Sequence, residues 1–154
     1  MDKKIVNTVS IYLIRGDEFL MLYRNKKKVD INKGKYIGVG GHIEEGETPD
    51  IAINREVKEE TNFDIINKQL RALIIFYFDE FEEHMYLYTS KDFKGEMKEC
   101  DEGTLCWVNV NEFKNIPMWE GDIYFIKPLL DNEPYFEMAF TYNKDKLIEV
   151  KRIK

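Results

Sequence analysis

The sequence predicts an α+β fold in which a mixed central sheet is flanked by helices, an α-β-α sandwich. Three observations point there. Apolar runs of strand length outnumber helical patterns, neighbouring runs are often joined by short turns, and no Pro/Ser/Gly-rich linker divides the 154 residues. The composition, 44% hydrophobic and 34% charged, is that of a globular chain long enough to bury a core without staples, so residues 1–154 are expected to form one domain.

Residues 5–14 and 18–24 are rich in Val, Ile, Leu and Tyr, and Arg15-Gly16-Asp17 supplies turn chemistry between them, which predicts a β-hairpin. Residues 25–35 carry five Lys and one Gly and read as a mobile polar loop. A short strand at 36–39 then runs into Gly40-Gly41, where backbone without Cβ can bend sharply or approach a ligand closely. At Thr48 the pattern turns helical. Thr48 suits the N-cap, Pro49 the first helical position and Asp50 the positive end of the dipole, while Ala52, Ile53 and Val57 form a narrow apolar stripe. Asn62 is a natural left-handed terminator, so the helix spans 49–61, roughly 20 Å at 1.5 Å per residue. Beyond it, 65–78, 84–90 and 105–110 read as strands and 111–115 as a short helical turn. A second helix at 121–130 is stopped near Pro134, and 135–142 with 146–150 closes the chain as a hairpin.

The charge balance narrows the function. With 23 Lys+Arg against 29 Asp+Glu the net charge is −6, which does not suit a protein that grips nucleic-acid polymers through their phosphates. The longest apolar stretches, such as 73–78, are far short of the ~20 residues that span a bilayer, so no membrane partner is expected. The N-terminal stretch alternates apolar and polar residues where a secretory signal has an unbroken apolar block, which points to the cytoplasm. Cys100 and Cys106 are then expected as free thiols, and His42 and His84 are too far apart in sequence to suggest zinc ligands.

On the helix, Glu56, Glu59 and Glu60 stand at i, i+3 and i+4, within about a 100° arc. Like charges so placed destabilise a bare helix by roughly 0.2–0.5 kcal/mol per pair, and Lys58 points to another face. A solvated helix face explains the triplet by itself; a divalent cation explains why three acids converge. Mg²⁺ or Mn²⁺ takes carboxylate and carbonyl oxygens and shares its shell with substrate phosphates, supplying positive charge that an acidic chain lacks.

The wider spacing favours the cation. The stretch from Gly41 to Phe63 resembles the Nudix box: Gly, five residues, Glu, seven residues, Arg-Glu-aliphatic-any-Glu-Glu-any-Gly-aliphatic. Gly41, Glu47, Arg55, Glu56, Val57, Glu59 and Glu60 match, while Asn62 and Phe63 replace a Gly and an aliphatic residue. The resemblance implies a Nudix fold and Mg²⁺- or Mn²⁺-dependent hydrolysis of a nucleoside diphosphate linked to another moiety. Residue by residue, it makes Glu56, Glu59 and Glu60 the metal ligands with the Gly41 carbonyl. Arg55 and Glu47 become the lock between loop and helix, and the general base stays open among the glutamates.

The C-terminal half is similar to the MutT-homologue branch of that family, which hydrolyses oxidised purine nucleoside triphosphates such as 8-oxo-dGTP to monophosphate and pyrophosphate. The matching pieces are Glu102 ahead of Cys106-Trp107, then Met118-Trp119-Glu120-Gly121-Asp122, Tyr124 and Pro128-Leu129-Leu130, with Thr8 upstream. By that likeness Glu102 is a further acid near the metals, Trp119 stacks on a purine, Asp122 accepts hydrogen bonds from the base edge, and Thr8 faces the same pocket. Arg24 reaches phosphate or purine. Gly121 stands where the relatives carry a second aspartate, with Glu120 as the substitute. Plainer roles are equally consistent with the residues: Trp119 as a core anchor, Asp122 as an N-cap, Glu102 as a loop acid. Two rivals remain, a Nudix enzyme for ADP-ribose or dinucleoside polyphosphates and a non-catalytic nucleotide sensor. Monomer and homodimer are both open.

Overall fold

The computed structural model describes residues 2–154. Strands β1 (Lys4–Arg15) and β2 (Glu18–Tyr23) make the expected hairpin, although only Ile14↔Phe19 and Arg15↔Glu18 pair across it. The remainder of β1 pairs antiparallel with β4 (Val39–His42) on one side and parallel with β6 (Phe81–Lys94) on the other. β3 (Tyr36–Ile37) and β7 (Thr104–Asn109) both lie against β2. β5 (Asp64–Phe78) forms a long hairpin with β6 and runs parallel to β8 (Phe136–Asn143), which β9 (Lys146–Arg152) closes. The resulting mixed order is β3-β2-β1-β6-β5-β8-β9.

Alternation sorts the side chains onto two faces. Registers Thr8↔Met85, Ser10↔Leu87, Ile74↔Met85, Phe76↔Glu83 and Phe76↔Phe140 place these residues on one side of the sheet. There α2 (Asp122–Leu130) lays Phe125, Ile126 and Leu129 over Tyr12, Leu87, Ile74 and Phe140. On the other face, α1 (Pro49–Thr61) packs Ala52, Ile53 and Val57 onto Val9, Ile11, Leu13 and Tyr88. Helices on both faces give the sandwich that the sequence predicts. Among the described residues no helix is long and apolar enough to cross a membrane.

Local chemistry fixes α1 as expected. The Ile51 N–H donates to the Thr48 hydroxyl at 3.2 Å, Asn62 takes φ 71°, and its N–H donates to the Lys58 carbonyl. Phe63 is aromatic because it fills the core under α1, edge-on to Phe93 at 5.1 Å.

Four details differ from the sequence reading. Gly40-Gly41 is not a bend but the middle of β4, and the break falls at Gly38. β6 begins at Phe81 rather than 84, so the β5–β6 turn is only Asp79-Glu80. The 25–35 loop is tied down: Arg24 donates to Asp30 at 2.7 Å, Lys26 to the Cys100 carbonyl at 2.8 Å and Trp119 Nε1 to Asn32 at 2.8 Å. Asp122, not Gly121, is the first residue of α2, and Gly121 occupies the capping position.

Candidate active site

Pairing with β1 lays Gly40 and Gly41 flat beneath the last two turns of α1. A Cβ on Gly41 would sit 2.7–2.9 Å from the Glu56 carboxylate, and one on Gly40 would strike the Val9 backbone. The glycines therefore let acidic side chains rest directly on backbone. The Gly40 N–H donates to Glu60 at 3.0 Å. Glu60 is 7% exposed, and burial together with Glu102 and Glu56 pushes its pKa up to about 9. It is thus a neutral acid that donates to Glu102, whose carboxyl is lowered by Glu60, Lys27 and Arg24. Burial raises Glu56 despite the Arg55 guanidinium at 2.9 Å, whereas Glu59 is exposed with Arg55 at 3.3 Å. The neutralising cation that Lys58 does not supply comes from Arg55.

Arg55 also forks onto Glu47, Nε to Oε2 at 2.7 Å and Nη2 to Oε1 at 2.9 Å, and Nη2 donates to the His42 carbonyl at 3.2 Å. Glu47 additionally accepts from the Glu44 N–H, and these bonds hold its pKa at about 2. The guanidinium thereby fastens the 42–47 loop to α1.

Among the described residues no three acidic, histidine or cysteine side chains already cage an ion. Glu56 and Glu59 are turned to Arg55, and Glu60 to Gly40 and Glu102. The donor chemistry nevertheless fits a hard divalent cation. Four carboxyls crowd one patch, and burial together with the neighbouring acids raises two of them, Glu56 and Glu60, which a divalent cation would relieve.

A second cluster lies on the α2 face. The Thr8 hydroxyl donates to Glu83 at 2.7 Å, and burial raises Glu83. Asp122 is 5% exposed, and among the described residues none donates a hydrogen bond to its carboxyl. Burial first, then Glu83, raises it to about 8 against the partial relief of Lys35. Tyr12 and Tyr142 also face Asp122, and Tyr142 accepts the Gly121 N–H at 2.7 Å. Trp119 is half-buried beside them, edge-on to Tyr142 at 5.4 Å, with the Lys35 ammonium 4.6 Å from its ring centre.

Thr8, Trp119 and Asp122 therefore share one region. Glu120 stands at its edge, exposed, near enough for its charge to act on Tyr142 and receiving the Leu147 N–H at 3.4 Å. Arg24 is held by Asp30, with Glu102 at 3.6 Å, so it borders the acid patch rather than the Asp122 pocket. Asp122 caps nothing with its side chain. Glu83 escaped sequence reasoning because Glu82-Glu83-His84 looks like a polar loop. Alternation Glu83, Met85, Leu87 was the available signal that one acid faces inward.

Burial of Asp122 predicts a pH dependence. A carboxyl raised from 3.8 to about 8 binds its proton more tightly folded than unfolded, so its contribution is complete below about pH 4 and is lost as pH rises through about 8. Over that interval the melting temperature of the native protein is expected to fall more steeply than that of Asp122→Asn. Parallel curves by calorimetry contradict it.

The Nudix domain profile matches residues 4–129. The chain is 28% identical over 149 residues to the uncharacterized Nudix hydrolase YvcI of Bacillus subtilis, covering 93% of this chain and 89% of that one. It is 27% identical over 127 residues to the oxidized purine nucleoside triphosphate hydrolase of Danio rerio, covering 81% of each. The crystal structure of a MutT protein from Bacillus halodurans superposes with a TM-score of 0.85 at 25% identity, over 96% of this chain and 97% of that one. A profile match over most of the chain, on this sandwich, settles the family: the chain belongs to the Nudix hydrolases.

Proposed function

We propose that this Nudix pyrophosphohydrolase converts an oxidised purine nucleoside triphosphate, such as 8-oxo-dGTP, to monophosphate and pyrophosphate, cleansing the nucleotide pool in the cytoplasm. Residues 1–154 act as one domain, as monomer or homodimer. The observation that carries the reading is that consecutive residues of β1 lead to two acidic sites: Val9, paired with Gly41, to the carboxyl patch under α1, and Thr8 to the Glu83 and Asp122 pocket on the α2 face. Similarity to the Danio rerio protein of that name supports the substrate class.

In this reading Glu56, Glu59 and Glu60, with the Gly41 carbonyl, hold Mg²⁺ or Mn²⁺. When bound, the cation would offset phosphate charge and make the attacking water easier to deprotonate. Glu102, already hydrogen-bonded to Glu60 and flanked by Lys27 at 3.0 Å, is placed to take a proton from the attacking water or to join the ligands. Arg55 and Glu47 keep the loop in register with the helix. Trp119 stacks on the purine, while the carboxyls of Asp122 and Glu83, both raised by burial, face its edge, where a carboxyl can accept or donate a hydrogen bond.

Turnover of 8-oxo-dGTP is expected to exceed that of dGTP and ADP-ribose, with pyrophosphate as co-product. Equal or faster ADP-ribose cleavage, or release of orthophosphate, defeats the assignment.

A further inference from the structure

At the opposite end of the sheet, a cleft of about 730 Å³ opens between the β1–β2 turn, the start of β5 and the end of α2. Its floor holds Arg71. The β5–β6 register slips between Leu70 and Ala72, so Arg71 is the extra residue of a bulge, a device that re-aims a side chain. The side chain turns under the sheet, and the residue is only 6% exposed.

A guanidinium keeps its charge in proteins, and burying it without a counter-ion is costly. Among the described residues Arg71 has no counter-ion. Nη1 donates to the Thr89 hydroxyl at 3.1 Å, and Nη2 makes only long contacts at 3.5 Å to Asn132 Oδ1 and the Glu133 carbonyl. Its five N–H donors are therefore under-used, all on neutral oxygens. The nearby end of α2 offers about half an elementary negative charge, not a whole one. Burial alone lowers its proton affinity, and among the described residues no acid offsets that. Of the two acids on the rim, Asp92 is taken by the Asn67 amide at 2.6 Å and Asp17 sits on the exposed β1–β2 turn. Lys68 and Lys91 add positive charge, and Phe19 and Leu129 form an apolar wall.

We propose that this cleft is a second ligand site, separate from the acidic centre, that takes a small oxyanion, phosphoryl or carboxylate, on the Arg71 fork with an apolar body against Phe19 and Leu129. Guanidinium binds both groups through paired N–H donors.

Metal-free protein labelled at arginine nitrogen is titrated with inorganic phosphate and, separately, with benzoate. The Arg71 Nε–H resonance is expected to shift and saturate with at least one of them, and the stronger ligand assigns phosphoryl or carboxylate. Arg71→Met should lose the accompanying rise in melting temperature and, without ligand, melt no lower than the native protein. An Arg71 resonance unmoved by either anion overturns the proposal, even if the variant fails to fold. So does a destabilised Arg71→Met that keeps the full ligand response.

Discussion

Glu60→Gln should lower kcat by roughly a thousandfold while the metal-free protein folds normally, since a catalytic cation supplies several kcal/mol and each 1.4 kcal/mol is tenfold. The two effects separate because of the state of Glu60. Without metal it is a buried neutral acid, pushed to about 9, that accepts from the Gly40 N–H and donates to Glu102. Glutamine has the same shape and reproduces both bonds, so the melting temperature should hold within a few degrees. It cannot become an anion, and an anion is what a divalent ion demands. Near-native kcat for a folded Glu60→Gln removes Glu60 from the metal site; a variant that fails to fold shows that its duty is packing.

Arg55→Ala should do the reverse first, lowering the melting temperature by about 5 °C or more and activity with it. The side chain is the only cation within reach of Glu47, Glu56 and Glu59 among the described residues. Its removal leaves Glu47 and Glu56 without their shared cation and frees the His42 carbonyl. Arg55→Lys should rescue stability only partly, because an ammonium cannot fork onto Glu47. An alanine variant as stable as the native protein contradicts the lock.

What was legible in the sequence was what is written locally. The α1 boundaries, the Thr48 cap and the left-handed Asn62 depend on neighbours a few residues away, and the structure matches them. The Arg55–Glu47 pair was implied by the resemblance to the Nudix box, and the bond is there. Long-range partners were not. The 25–35 loop looked solvated because its lysines find acceptors some 70 residues on, at Cys100 and Glu102. Glu83 looked like turn chemistry because only pairing with β1 and β5 reveals that it faces the α2 side. Asp122 matched a cap by residue type, but the helix starts one residue earlier than that reading needs: Gly121 takes the capping position and Asp122 is the buried first residue of α2. Arg71 gave no signal at all, since a bulge depends on how two strands slip.

The central claim is that the carboxyls of α1, resting on Gly40-Gly41, bind divalent cations that a polyphosphate shares. Calorimetric titration of Mg²⁺ and Mn²⁺ into chelator-stripped protein, with a non-hydrolysable nucleoside triphosphate present, tests it most directly. Saturable uptake that releases protons and is lost in Glu60→Gln is the predicted result, because Glu60 must ionise to bind. No uptake, or uptake that the variant retains in full, would contradict it.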